Sequence, residues 1–196
     1  MHWQEAPTHH ARDGTNSDWP VYWHVSTPFL SRLLRTWLVI ATIDGLFASA
    51  LSVLAYGSTF TRLWQGVAST VLGPAAFDGG LRTVFVGLLL HLGVALAWSA
   101  VFLTLMYNSP WLRRVLATPI GVFAVAAVYG PLVWMVMSLA VVPLLTGRPP
   151  AINARWWVQL VGHVFFVALP IVAMSAWGLT RWRITSARPA AGSAIP

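Results

Sequence analysis

Cysteine is absent from all 196 residues, which excludes disulfides, thiolate metal sites, iron–sulfur clusters and a cysteine nucleophile. Lysine is absent too, so the whole basic complement is twelve arginines. Charged residues make up only 9% of the chain, well below the roughly one quarter usual for a soluble globular domain. Just five residues are acidic, and Asp44 is the one that falls inside a long apolar stretch. Recognisable hydrolase and transferase signatures are missing as well: there is no nucleophile elbow, phosphate loop or zincin helix. Asp78 is the sole acid expected outside the spans on the outer side, so no carboxylate pair is available there. The chain is read as non-enzymatic.

What is present is apolar length. Residues 36–61 contain one carboxylate, and residues 83–112, 115–147 and 156–180 contain no charge at all. Each stretch exceeds the roughly 20 residues that a helix needs to cross a bilayer. The expected fold is all-α: an integral membrane four-helix bundle with spans at about 34–56, 83–107, 118–145 and 155–180. One extra interfacial or re-entrant helix, 62–73, is expected between the first and second spans. A polar extension, 1–33, precedes the bundle and a tail, 181–196, follows it. The polar extension lacks the basic start and short apolar core of a signal peptide, so insertion is expected to begin at the first span itself.

A net charge of +7 and a pI of 11.3 would suggest nucleic acid for a soluble chain. Here the arginines sit at the ends of apolar runs, which points to the membrane surface and away from nucleic acid or a soluble substrate. With a cytoplasmic N-terminus, that side receives Arg12, Arg32, Arg35, Arg113, Arg114, Arg181, Arg183 and Arg188. The other side receives Arg62, Arg82, Arg148 and Arg155. The excess predicts both termini inside.

Local signals mark the element ends. Gly57-Ser58-Thr59 closes the first span. Gly73-Pro74 stops the extra helix, and Asp78-Gly79-Gly80 turns into the second span. Thr118-Pro119 reads as a cap with a first-turn proline, and Asn153 as the cap of the fourth span. In the extra helix, Leu63, Trp64, Val67, Ala68, Val71 and Leu72 share one stripe, whereas Gln65, Gly66, Ser69, Thr70 and Gly73 share the other. Pro131, Pro143 and Pro170 are expected to kink their spans.

Counting from the flanking arginines gives a depth scale. His91 and His163 fall about 12–14 Å below the outer boundary and Asp44 about 14 Å above the inner one. Tyr129 lies in the same middle zone on the third span. An ionisable group at lipid depth is costly and marks a candidate site. Several chemistries suit the group. His91 and His163 could ligate a haem or other tetrapyrrole axially, with Gly87 leaving room for the macrocycle edge. Asp44 with both histidines could hold a divalent metal, or Asp44, Tyr129 and the histidines could form a proton or ion path. The same residues could instead bond one another and fix the bundle's register.

Of the twelve tryptophans, Trp37, Trp64, Trp111, Trp156, Trp157, Trp177 and Trp182 lie near span ends and read as interfacial anchors. Trp98 and Trp134 are deeper and are expected to pack against helices, lipid or a partner. Small residues on the first span (Gly45, Ala48, Ser49, Ser52) and the second (Gly87, Gly93, Ala97, Ala100) permit close helix contact.

The run from Tyr129-Gly130 through Pro143-Leu144-Leu145-Thr146-Gly147-Arg148-Pro149-Pro150 to Gly162-His163-Val164-Phe165 resembles the YagU-like group of uncharacterised bacterial inner-membrane proteins. The second span, with its mid-helix His91, resembles the same group. The likeness covers the last two thirds of the chain and implies a bacterial inner-membrane location without assigning a catalytic residue. Together these features point to a structural or accessory subunit that contacts the lipid bilayer and other integral membrane subunits, within a larger bioenergetic complex. The alternatives are a tetrapyrrole-binding electron carrier and a small proton or ion pathway through Asp44.

Overall fold

A computed structural model describes residues 27–186, with side chains placed from 29 to 177. The expected extension and tail therefore lie partly outside the described residues. Among those residues the secondary structure is helical throughout, with no strand. Four helices are long and apolar enough to cross a membrane: Phe29–Ala55, Gly80–Asn108, Pro119–Thr146 and Ala154–Trp177. Their 24 to 29 residues correspond to about 36–44 Å, which exceeds a hydrocarbon core of about 30 Å. The chain is an all-α, four-helix membrane bundle. Large apolar side chains project away from it, including Leu46, Leu54, Leu89, Ile120 and Leu144. Such an outer surface suits acyl chains.

Helix α1, Thr27–Ala50, continues through a wider π turn, Leu51–Ala55. It begins ahead of the expected Leu34 because Arg32 and Arg35 end the apolar run without ending the helix. The short helix α2, Phe60–Leu72, is capped by the Thr59 hydroxyl, which accepts from the Arg62 amide at 3.1 Å. Gly73, at φ 71°, lets the chain leave the helix with its N–H still donating to Ser69 O. A 3₁₀ turn, Pro74–Asp78, then leads into α3, Gly80–Asn108.

Between the second and third spans, Ser109 caps α4, Pro110–Val115, a helix not anticipated within the expected loop. Arg113 donates to the Met106 and Tyr107 carbonyls and closes the end of α3. Thr118 caps α5, Pro119–Val136, through a 3.1 Å bond from the Gly121 amide. Helix α5 runs on through a π turn, Met137–Val141, into α6, Val142–Thr146. Asn153 caps α7, Ala154–Gly162, which continues through a π turn, His163–Ala168, into α8, Leu169–Ser186.

The π turns have a local cause in two of the three cases. Pro143 and Pro170 lack an N–H and crowd the carbonyl four residues earlier. In both cases the turn just before the proline widens. The kinks expected at these prolines thus take the form of π turns, which membrane bundles accommodate.

The best-packed region lies toward the end of the bundle that carries α4, where Ile40, Phe102, Leu103, Met106, Ile171 and Val172 are buried together. Helix α2 packs most extensively on α3. Its buried residues are Trp64, Gln65 and Ala68, whereas Val71 and Leu72 are exposed. The inward face therefore combines parts of both expected stripes. Next to a bilayer, apolar side chains gain nothing by turning inward, whereas Gln65 gains a bond by doing so, donating to Gly80 O at 3.3 Å.

Candidate functional site

Three helices bring ionisable groups to one place. Asp44 on α1, His91 on α3 and His163 at the end of α7 line a common cavity. Val94, Trp98, Val133 and Met137 form part of its apolar wall. Asp44 Oδ2 stands 3.8 Å from His91 Nδ1, too far for a direct hydrogen bond and close enough for an ion pair. The other ring nitrogen, Nε2, lies 3.0 Å from the Ala41 carbonyl oxygen. Asp44 is also within electrostatic reach of His163. His163 Nδ1 lies 2.7 Å from Gln159 O, one turn back on its own helix.

Glycines make this approach possible. A β-carbon on Gly45 would stand 3.3 Å from His91 Nε2 and 3.7 Å from the Trp64 ring. At Gly130 it would lie 2.6 Å from the His163 carbonyl oxygen, so α5 passes close to the π turn that begins at His163. Each histidine packs against an indole. Trp64 meets His91 edge-on at 5.1 Å between ring centres, and Trp134 meets His163 at 4.8 Å.

Tyr129 does not line this cavity. Its hydroxyl donates to Trp98 O at 2.7 Å, tying α5 to α3 below the ionisable group. The four residues placed at one depth by the sequence therefore separate into a cluster of three and a cross-helix tie. Trp64 also departs from its expected place. Its side chain is only 3% exposed and reaches the cluster, whereas Trp111, Trp157 and Trp177 are exposed. Its position beside Arg62 suggested an interfacial anchor, and no sequence signal distinguished it from the others.

A tetrapyrrole does not fit the site as folded. The cavity measures about 50 Å³, room for a few water molecules and far below the roughly 300 Å³ at which small-molecule pockets begin. The space expected beside Gly87 for a macrocycle edge is filled by Trp64: a β-carbon there would lie 1.9 Å from the Trp64 carbonyl oxygen. Among the described residues, no three His, Asp or Glu side chains form a group able to hold a metal ion. Compared with family models, curated proteins and solved structures, the chain matches none.

Proposed function

We propose that the protein is a non-catalytic scaffold of the bacterial inner membrane, an accessory subunit that packs against other integral proteins of a larger, bioenergetic assembly. Both termini are assigned to the cytoplasm by the arginine distribution. The observation that carries this reading is where the buried polar groups spend their hydrogen bonds. Trp37 Nε1 donates to Leu92 O at 2.8 Å and joins α1 to α3. His91 bonds Ala41 O across the same pair. Tyr129 joins α5 to α3, and Trp156 Nε1 donates to Ser138 Oγ at 2.9 Å, joining α7 to the π turn after α5. Four such bonds tie successive helices at fixed register, and polar bonds of this kind hold membrane bundles together.

Two further features support the reading. The connections from the second span to the third and from the third to the fourth are short, and the lipid-facing exterior carries bulky Leu, Phe and Trp side chains suited to contact with another membrane subunit. Extraction from native membranes in a mild detergent, followed by native electrophoresis, tests it. The protein is expected to migrate in an assembly with other membrane proteins; migration as an isolated monomer in every mild detergent would overturn the subunit reading.

A further inference from the structure

The scaffold accounts for Trp37, Tyr129 and Trp156, and for one nitrogen of His91. It leaves Asp44 unexplained. Among the described residues, no hydrogen bond of Asp44 is seen, and its one ion-pair contact is with His91 Nδ1 at 3.8 Å. A carboxylate at mid-membrane with no donor is expensive, and membrane proteins keep such groups where they do work.

The tautomer of His91 follows from its partner. A backbone carbonyl can only accept, so the 3.0 Å contact with Ala41 O requires the proton on Nε2. In a neutral imidazole, Nδ1 is then a bare lone pair, and it faces Asp44 Oδ2 at 3.8 Å. An ionised carboxylate is also acceptor-only. With both groups in those states, two acceptors confront each other in a low-dielectric interior and nothing joins them. One added proton resolves the conflict. It sits on the carboxyl, which then donates toward Nδ1, or on Nδ1, which then forms an ion pair with the carboxylate.

We propose that Asp44 and His91 form a proton-binding site in the middle of the membrane, with His163 as a second base on the same cavity. The bond from His163 Nδ1 to Gln159 O fixes its proton by the same reasoning and leaves Nε2 as the free base. The step is a proton transfer alone. The O–H bond of Asp44 breaks as the N–H bond of His91 forms, the electron pair stays on oxygen, and release to water in the cavity reverses the uptake. No redox partner is required.

The surroundings are otherwise uncharged. Helices α5 and α8 offer Val133 and Ile171, the π turn offers Met137, and no arginine lines the cavity. The 3.8 Å separation and the space for water suit an exchangeable proton more than a fixed bond. His163 and Met137 each begin a π turn, a distortion found often at functional sites.

The test uses the full chain in lipid bilayers, labelled with nitrogen-15 at histidine and read by solid-state NMR as pH is varied; His163→Gln assigns the signals. Expected is a His91 ring with Nε2 protonated throughout and an Nδ1 resonance that moves with pH. In Asp44→Asn, whose amide does not ionise, that movement is lost. Infrared spectra of the unmodified chain supply a readout that needs no variant to fold: a carboxylic-acid band that shifts in heavy water and disappears as the site is deprotonated. A bare, pH-insensitive Nδ1 with no carboxylic-acid band at any pH at which the protein stays folded would overturn the proposal. So would pH-dependent movement confined to His163.

Discussion

The backbones of Trp64 and Gly87 touch: a β-carbon on Gly87 would fall 1.9 Å from the Trp64 carbonyl oxygen and 2.8 Å from its carbon. This contact seats α2 against α3 and carries the Trp64 ring inward to His91 and Gly45. The extra helix is therefore part of the wall behind the candidate site.

Gly87→Ala is expected to destabilise the bundle. The obstacle is backbone on a neighbouring helix, which cannot rotate away as a side chain would, so the cost should reach or exceed the roughly 1–3 kcal/mol usual for overpacking. Gly66, on α2, has open space where its β-carbon would stand. Gly66→Ala should be neutral or stabilising by up to about 1 kcal/mol, the helix-propensity difference. Thermal unfolding of both variants in detergent checks the contrast, and equal melting temperatures would remove the argument for a backbone contact at Gly87.

Tyr129→Phe and Trp37→Phe each delete one cross-helix bond while keeping an aromatic ring in place. Each should cost about 0.6 kcal/mol, with about 1.7 kcal/mol as the upper range for such bonds in membranes. The loss is modest because the bereft acceptor is a helix carbonyl. The two ties join different helix pairs, so the double variant should show the sum. Reversible unfolding in mixed micelles would measure this; a cost well above the sum would mean that the ties belong to one coupled network.

A purified preparation should be colourless. The cavity is too small for a macrocycle, and the Trp64 backbone occupies the place beside Gly87. An intense visible haem band that co-purifies with the chain and is abolished by His163→Gln would show that the helices part to admit a ligand.

Much of the architecture was legible because membrane residence writes itself in composition. The uncharged stretches, the Thr118-Pro119 and Asn153 caps and the Gly73-Pro74 stop all correspond to element ends. Depth counted from the arginines placed Asp44 near His91, since rise per residue is fixed along a helix. Rotation about each axis was not legible. In lipid the apolar stripe does not identify the inner face, so the buried side of α2 takes in Gln65 from the polar stripe, and Tyr129 points at Trp98 instead of at the cluster. The π turns left no periodic mark beyond the prolines that follow two of them, and the roles of Gly45 and Gly130 emerge only once the neighbouring helix is in place.

The absence of cysteine turns the sidedness of the bundle into a direct measurement. The arginine excess predicts that the connection between α4 and α5 faces the cytoplasm and that the turns before α3 and before α7 face the opposite side. Ala117, Ala75 and Ala151 are exposed in these three connections, and none of them donates or accepts through its side chain. A single cysteine at any of them is thus a lone thiol on an otherwise intact surface. In whole cells, a membrane-impermeant maleimide should label Ala75→Cys and Ala151→Cys and leave Ala117→Cys unlabelled until the membrane is opened. The reverse pattern would place the termini outside. It would also mean that Arg113, bound to the Met106 and Tyr107 carbonyls, caps a helix end without acting as a topology signal. Labelling of all three sites in intact cells would indicate two orientations in one population, which the margin of eight arginines over four argues against.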